Sequence, residues 1–332
     1  MSRLSLWKSS ARESLQKLID RYRDCDAFAV FDADNTLWKG DITESLLVWL
    51  EGRGLVSLDS FSEELLPVAP LPDETVYGYY ARLCEDWHEV GYLWSAQAFQ
   101  GLSLASLRAE VIQMLQEVRP LRSSVYKNGK QEEVFVAVPK IYLPQVQLLR
   151  ELRANGIGVW IVSASLEELV RMIVSDPVFG IGVPPERVVG VNMLLRFSDG
   201  SVYPSARDRE QGQVGLDYYF SDVRMESVLT HHLLTPATWF QGKVSAIQTW
   251  IDPVKRPILA AGDSPNDFFM QFYVNAVQGG IRMRIHRKEK HRTQLKREIQ
   301  RRQTVKSAHF DPHLGWLEVS FEANDARPCI RL

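Results

Sequence analysis

Two carboxylates stand two residues apart in Asp32-Ala-Asp34, directly after an apolar run at 27–31. Such a pair on a tight loop repels itself unless a divalent cation lies between the charges or one carboxyl takes a proton. Mg²⁺ suits the position, because it takes hard oxygen ligands and keeps several waters. A third carboxylate, Asp263, follows a second apolar run at 257–261, with Asn266 and Asp267 close behind. Ser163 follows a third run at 157–162. The stretch Ser165-Leu-Glu-Glu168 reads as a capping box that opens a helix just beyond it. The Ser163 hydroxyl then lies beside free helix N–H groups, an anion-binding arrangement. Lys243 could supply a fixed positive charge. Carboxylates with a metal, a hydroxyl, a lysine and helix N–H groups together describe a phosphoryl-transfer site, where a protein mainly positions groups and neutralises charge.

The elements that must position these residues follow from the apolar pattern. The three runs are short and continuous, as for strands buried on both faces. A helix at 11–24, with Leu15, Leu18, Ile19 and Tyr22 on its face, precedes the first run, and helices separate the runs, one of them opened by Pro144 and closed at Asn155-Gly156. Alternating strands and helices predict an α/β fold, a Rossmann-like parallel sheet with helices on both faces. In such sheets ligands bind outside the carboxyl ends of the strands, where all three runs stop. More than a hundred residues separate the first and second strands. Stripes such as Val76-Tyr80-Leu83-Trp87-Val90 and Leu104-Leu107-Val111-Met114-Leu115-Val118 make that stretch mostly helical. Pro67, Pro70, Pro72 and an Asn128-Gly129 turn break it into pieces. The expected organisation is core at 1–38, an inserted helical cap at 39–139, and the second part of the core at 140–332. Residues 188–196 and 202–203 are expected to form a hairpin.

In motif order the chain resembles the haloacid dehalogenase-like hydrolases, specifically their phosphatase branch. Asp32-Ala-Asp-Asn-Thr36 stands as motif one, Ser163 as motif two, Lys243 as motif three and Gly262-Asp-Ser-Pro-Asn-Asp267 as motif four. The resemblance covers roughly 1–38 and 140–285, with the insert in the place of the family's helical cap. The Asp-Asn-Thr ending, the Ser-Ala-Ser of motif two and the large insert look most like phosphoserine-phosphatase-type enzymes and, more closely, phosphorylcholine phosphatases. The resemblance implies that Asp32 is the nucleophile forming an aspartyl-phosphate. It makes Asp34 acid and base in turn, and Thr36, Ser163, Ala164 and Lys243 the holders of phosphoryl oxygens. Mg²⁺ would be held by Asp32, the Asp34 backbone carbonyl and Asp263, with Asn266 and Asp267 bracing the metal or Lys243. The implied reaction is hydrolysis of a small-molecule phosphomonoester, with phosphorylcholine, phosphoethanolamine and phosphoserine as candidates. Transfer to an acceptor alcohol is the near alternative. A scaffold that binds a partner through a basic C-terminal helix is the distant one.

Composition bounds these readings. The 332 residues are 45% hydrophobic and 24% charged, ordinary for a globular protein of about two domains. A net charge of −2 argues against a protein built mainly to coat nucleic acid. It conceals a basic stretch from Arg282 to Lys306 with eleven Lys/Arg and two Glu, a local +9. That stretch reads as an alternating strand at 281–285 and a solvated helix at 288–302, whose field could draw phosphate esters inward. Cys25, Cys84 and Cys329 fit no disulfide framework, and Cys84 reads as cap core. Residues 1–10 carry no apolar segment of signal length and no run approaches 18 apolar residues, so a cytoplasmic protein with no membrane span is expected. His231-His232 and the pair His309 and His313 are not assigned a metal, since adjacent histidines point apart and Pro312 spoils a helical pair. The cap aromatics Trp49, Tyr77, Tyr79, Tyr80, Trp87, Tyr92, Trp94 and Phe99 read mainly as core. The competing reading is a cation–π cage for an ammonium group, with Asp41, Glu44, Asp73, Glu74, Glu85 and Asp86 adding negative charge. Trp38, just beyond motif one, is the expected substrate-facing ring.

Overall fold

The computed structural model describes residues 4–234, 236–305, 307–308 and 310–329, and the backbone alone of His88. Lys306 and His309 lie outside the described residues. The strands are β1 (Phe28–Phe31), β2 (Trp38–Lys39), β3 (Leu121–Lys127), β4 (Lys130–Val136), β5 (Lys140–Tyr142), β6 (Gly158–Leu166), β7 (Val188–Arg196), β8 (Val202–Pro204), β9 (Val228–Leu234), β10 (Leu259–Gly262), β11 (Ile281–Ile285), β12 (Trp316–Val319) and β13 (Ala326–Pro328). The helices are α1 (Ser9–Tyr22), α2 (Ile42–Gly52), α3 (Val76–Asp86), α4 (His88–Gln97), α5 (Leu104–Gln116), α6 (Leu143–Ala154) and α7 (Glu167–Val174). Three short ones follow, α8 (Ala206–Glu210), α9 (Leu216–Tyr219) and α10 (Asp222–Met225), and then α11 (Gln241–Trp250), α12 (Phe268–Tyr273) and α13 (Glu289–Arg301).

β1 is apolar throughout because it lies mid-sheet, buried at all four positions. It pairs in parallel with β6 on one side and β10 on the other, and the sheet runs β12-β11-β10-β1-β6-β7-β8, with β9 also on β7. The pairs from β12 through to β7 are parallel, whereas β8 and β9 run antiparallel to β7. This is the expected α/β sheet, and the 188–196/202–203 hairpin forms as β7–β8. Asp32 and Asp263 follow the carboxyl ends of β1 and β10, and Ser163 comes to the same edge from within β6, which runs on to Leu166 instead of stopping at Ser163. No helix among the described residues is long and apolar enough to cross a membrane.

Between β1 and β6 the chain forms α2 to α5, β2, β5 and α6, together with an antiparallel hairpin, β3–β4. The hairpin departs from the helical expectation for 39–139. Its turn is Asn128-Gly129, with both residues at positive φ (51° and 74°), as a two-residue hairpin loop requires. The Val76–Val90 stripe likewise divides at Trp87 into α3 and α4.

β11 was expected to alternate buried and exposed positions, but all five of its residues are buried. α12 packs against it, and β12 pairs along its outer edge. Arg282 donates to the carbonyls of Gln271, Asp311 and Leu314, and its guanidinium lies about 5.5 Å from the rings of Phe272, Phe310 and Trp316. Three carbonyls and three ring faces replace the water that an exposed arginine would hold. Nor is β11 the outermost strand, since β12 adds beyond it.

Candidate active site

Motif one is a tight loop. The Asp32 N–H continues the sheet by donating to the Ala261 carbonyl at 2.9 Å, and Asn35 takes a left-handed φ of 56°, which Asn tolerates better than most residues. Beyond the loop, Asp34 Oδ1 accepts from Trp38 Nε1 at 2.7 Å and from the Ile42 N–H at 2.8 Å. Its Oδ2 accepts from Ser165 Oγ at 2.6 Å. Three donors fix the carboxyl's direction. Burial first, and then the nearby Asp41 charge, push it up to about 7, where it can both give and take a proton near neutrality.

Two sequence expectations change here. Trp38 does not face substrate: its ring is fully buried and serves as a donor to Asp34. Ser165 is not a helix cap: β6 extends through Leu166, α7 has no side-chain cap, and the Ser165 hydroxyl is taken by Asp34. Glu168 is instead bound by Arg171 and by Arg224 (2.7 Å), inside a buried network with Glu167, Asp208 and Arg209.

Lys243 lies in the first turn of α11 and is almost wholly buried. Its Nζ donates to Asp32 Oδ1 at 2.6 Å and to Asp267 Oδ1 at 2.7 Å. Burial works against the ammonium, but the two carboxylates outweigh it and hold the lysine charged, above its ordinary value. Burial and the Asp267 charge push Asp32 upward while Lys243 pulls it down. Asp267 is saturated, because its Oδ2 accepts from the Asp263 and Ser264 N–H groups and from Ser264 Oγ. It braces Lys243 and the motif-four turn.

Oxygens of Asp32, Asp263 and Asp267 lie within 4.8 Å of one another, all buried. Arg287 Nε stands 3.0 Å from Asp263 Oδ2, yet outside hydrogen-bond geometry, so this buried oxygen has no donor. A hard, oxygen-lined position with one carboxylate oxygen left without a hydrogen bond fits Mg²⁺. With Asp267 fully engaged, the side chains open to a cation are Asp32 and Asp263. Asp34 can contribute only its backbone carbonyl, because its carboxylate is occupied.

Asp32, Asp34, Lys243 and Asp263 line a cavity of about 700 Å³, together with Ser163, Ala164, Ser165 and Asn266, whereas Asp267 is buried behind them. Ser163 Oγ accepts from the Ser165 N–H at 3.2 Å. Thr36, expected to hold phosphoryl oxygen, does not line the cavity: it is fully buried behind the motif-one loop, and its carbonyl accepts from Gln145. Of the aromatics, Tyr80 and Tyr92 reach the cavity, as does Cys84, which therefore is not plain core. Tyr79, Trp94 and Phe99 are core, whereas Trp87 is exposed. His231 and His232 do not point apart, since their ring centres are 4.1 Å from each other.

Three cavity features escaped sequence reasoning. Phe240, half-buried, forms part of the wall. Arg287, Lys288, Lys290 and His291 at the start of α13 form another part, so the basic helix is not only a solvated face. Ser165, whose local pattern fits a helix cap, lines the cavity as a donor to Asp34. The +9 charge was the one available signal for the α13 wall.

The family model of the haloacid dehalogenase-like hydrolases matches residues 29–225. The chain is 35% identical over 297 residues to phosphorylcholine phosphatase of Pseudomonas aeruginosa, covering 88% of this chain and 84% of that protein. A functionally unknown protein from Anaerococcus prevotii DSM 20548 shares the fold at 18% identity, covering 94% of this chain and 97% of that one with a TM-score of 0.57.

Proposed function

The chain belongs to the haloacid dehalogenase-like hydrolases, and from that premise we propose that it is a Mg²⁺-dependent phosphatase of small phosphomonoesters, with residues 39–139 as its cap. The observation that carries this reading is the bond of Lys243 to both Asp32 and Asp267, beside a separately oriented Asp34. Asp32 attacks phosphorus through a carboxylate oxygen, and the ester P–O bond breaks as Asp34 gives its proton to the leaving oxygen. Asp34 then takes a proton from water, whose oxygen attacks the aspartyl-phosphate and releases phosphate with Asp32 regenerated. Lys243, Ser163 and the Ala164 N–H hold the phosphoryl oxygens, with Thr36 supporting the loop from behind. Asp32 and Asp263 would hold Mg²⁺, which would supply charge neutralisation of the phosphoryl group. Ser165→Ala removes one of three donors to Asp34 and should lower kcat roughly ten-fold with KM little changed; unchanged steady-state kinetics would reject that positioning role.

The leaving group occupies the side of the cavity bounded by Asp41, Glu44, Tyr80 and Tyr92. Burial pushes both acids upward from their ordinary values, and Arg287, with Lys288 for Glu44, offsets this only in part, so an ammonium between them adds to that offset. Tyrosine faces add cation–π attraction. The favoured substrates therefore carry an amine or quaternary ammonium, as in phosphorylcholine and phosphoethanolamine. Phosphate release from these, from phosphoserine and from p-nitrophenyl phosphate tests the reading, and inactivity of folded, Mg²⁺-loaded protein across the panel would sink it. Glu44→Gln should raise KM for the ammonium esters about ten-fold and leave that for p-nitrophenyl phosphate nearly unchanged.

A further inference from the structure

Phe240 stands where a side chain is least welcome. Its φ of 46° and ψ of −124°, with the Gly242 N–H donating to the Trp239 carbonyl at 2.8 Å, are those of the first central position of a type II′ turn. That position calls for glycine, because a Cβ crowds the backbone there. The chain must make this turn. Thr238 Oγ1 donates to the Ser163 carbonyl at 2.5 Å, and a Cβ on Gly242 would meet the Ala237 carbonyl oxygen at 1.9 Å. Only then does α11 begin so that Lys243 reaches Asp32 and Asp267. Glycine at 240 would serve the turn better than phenylalanine, so nothing in the backbone accounts for the ring. Phe240 is part of the cavity wall, along with Ala164, Pro265 and Tyr92.

We infer that Phe240 is a specificity-determining residue: its ring, held by a strained turn, packs against the organic leaving group beside the phosphoryl site. The inference rests on the phosphatase reading above. It names a contact with the ester's carbon-bearing half, and none with the phosphoryl oxygens.

Phe240→Ala and Phe240→Gly together separate ring from strain. Both lack the ring, and only glycine suits the turn. Each variant should raise KM for phosphorylcholine and p-nitrophenyl phosphate about ten-fold, with kcat changed less than about three-fold. The inhibition constant of inorganic phosphate, which has no leaving group, should stay at its wild-type value. The glycine variant should melt above the alanine variant by roughly 2–4 °C, reversing the usual order. Unchanged KM values in an active enzyme would overturn the inference. So would a matching rise in the phosphate inhibition constant, which would mean that the ring acts through Lys243. A wild-type protein inactive on every ester would instead remove the phosphatase reading itself, and this inference with it.

Discussion

Asp32→Asn should abolish phosphate release, by on the order of 10⁴-fold or more, while leaving the protein folded. An amide oxygen has the shape of the carboxylate but not the electron density to displace an alkoxide from phosphorus. Stability should change little. Burial and the Asp267 charge push Asp32 upward while Lys243 opposes them, so the native state loses a repulsion together with an attraction. Lys243 keeps Asp267 as its partner. Phosphate release measured beside a thermal melt checks both halves. A folded variant retaining a tenth of the wild-type rate would remove Asp32 from the nucleophile's role.

Lys243→Met should carry the largest effect on stability. The lysine is the cation facing two carboxylates that are themselves buried. Removing one member of a buried ionic group leaves uncompensated charge and costs about 3–5 kcal/mol. Activity should disappear as well, since the phosphoryl oxygens lose their fixed charge. Denaturant melts of Lys243→Met, Asp32→Asn and the double variant provide the control: the double variant should regain part of the lost stability. If the double variant falls by the sum of the single losses, the pair is not coupled. The sign with pH follows from the raised lysine. A group stabilised in its charged form contributes fully below its unfolded value of 10.5 and loses that contribution as pH rises through the higher folded value. At neutral pH the lysine's contribution is therefore complete, and only strongly alkaline solution should erode it.

How far the chain reads itself depends on the range of the interaction. Phe28–Phe31, Leu259–Gly262 and the start of β6 are continuous apolar runs, because strands buried on both faces can carry little else. The polar residues that end them mark the carboxyl edge of the sheet. Hence Asp32, Ser163 and Asp263 were legible in place, and the order of motifs located Lys243. The β3–β4 hairpin was legible too, since Asn128-Gly129 is a strong hairpin signal, but it was read only as a helix breaker. Arg282 and Arg284 illustrate the opposite case: alternation suggested a wet face, and the rings of Phe272, Phe310 and Trp316 that enclose Arg282 come from other elements.

The α/β class and the types of reacting group are written in short segments of the chain, because burial pattern and motif spacing are local properties. What each group touches is set by the folded arrangement. Ser165 meets Asp34 across 131 residues and Lys243 meets Asp32 across 211, distances that the β6-β1-β10 order closes. It turned Trp38 from a substrate-facing ring into a buried donor, brought the first turn of a basic helix into the cavity wall, and set Phe240 on a glycine's turn. Hydrogen bonds and cavity walls are made by neighbours in space, and a local pattern of residues carries no record of which neighbours those will be.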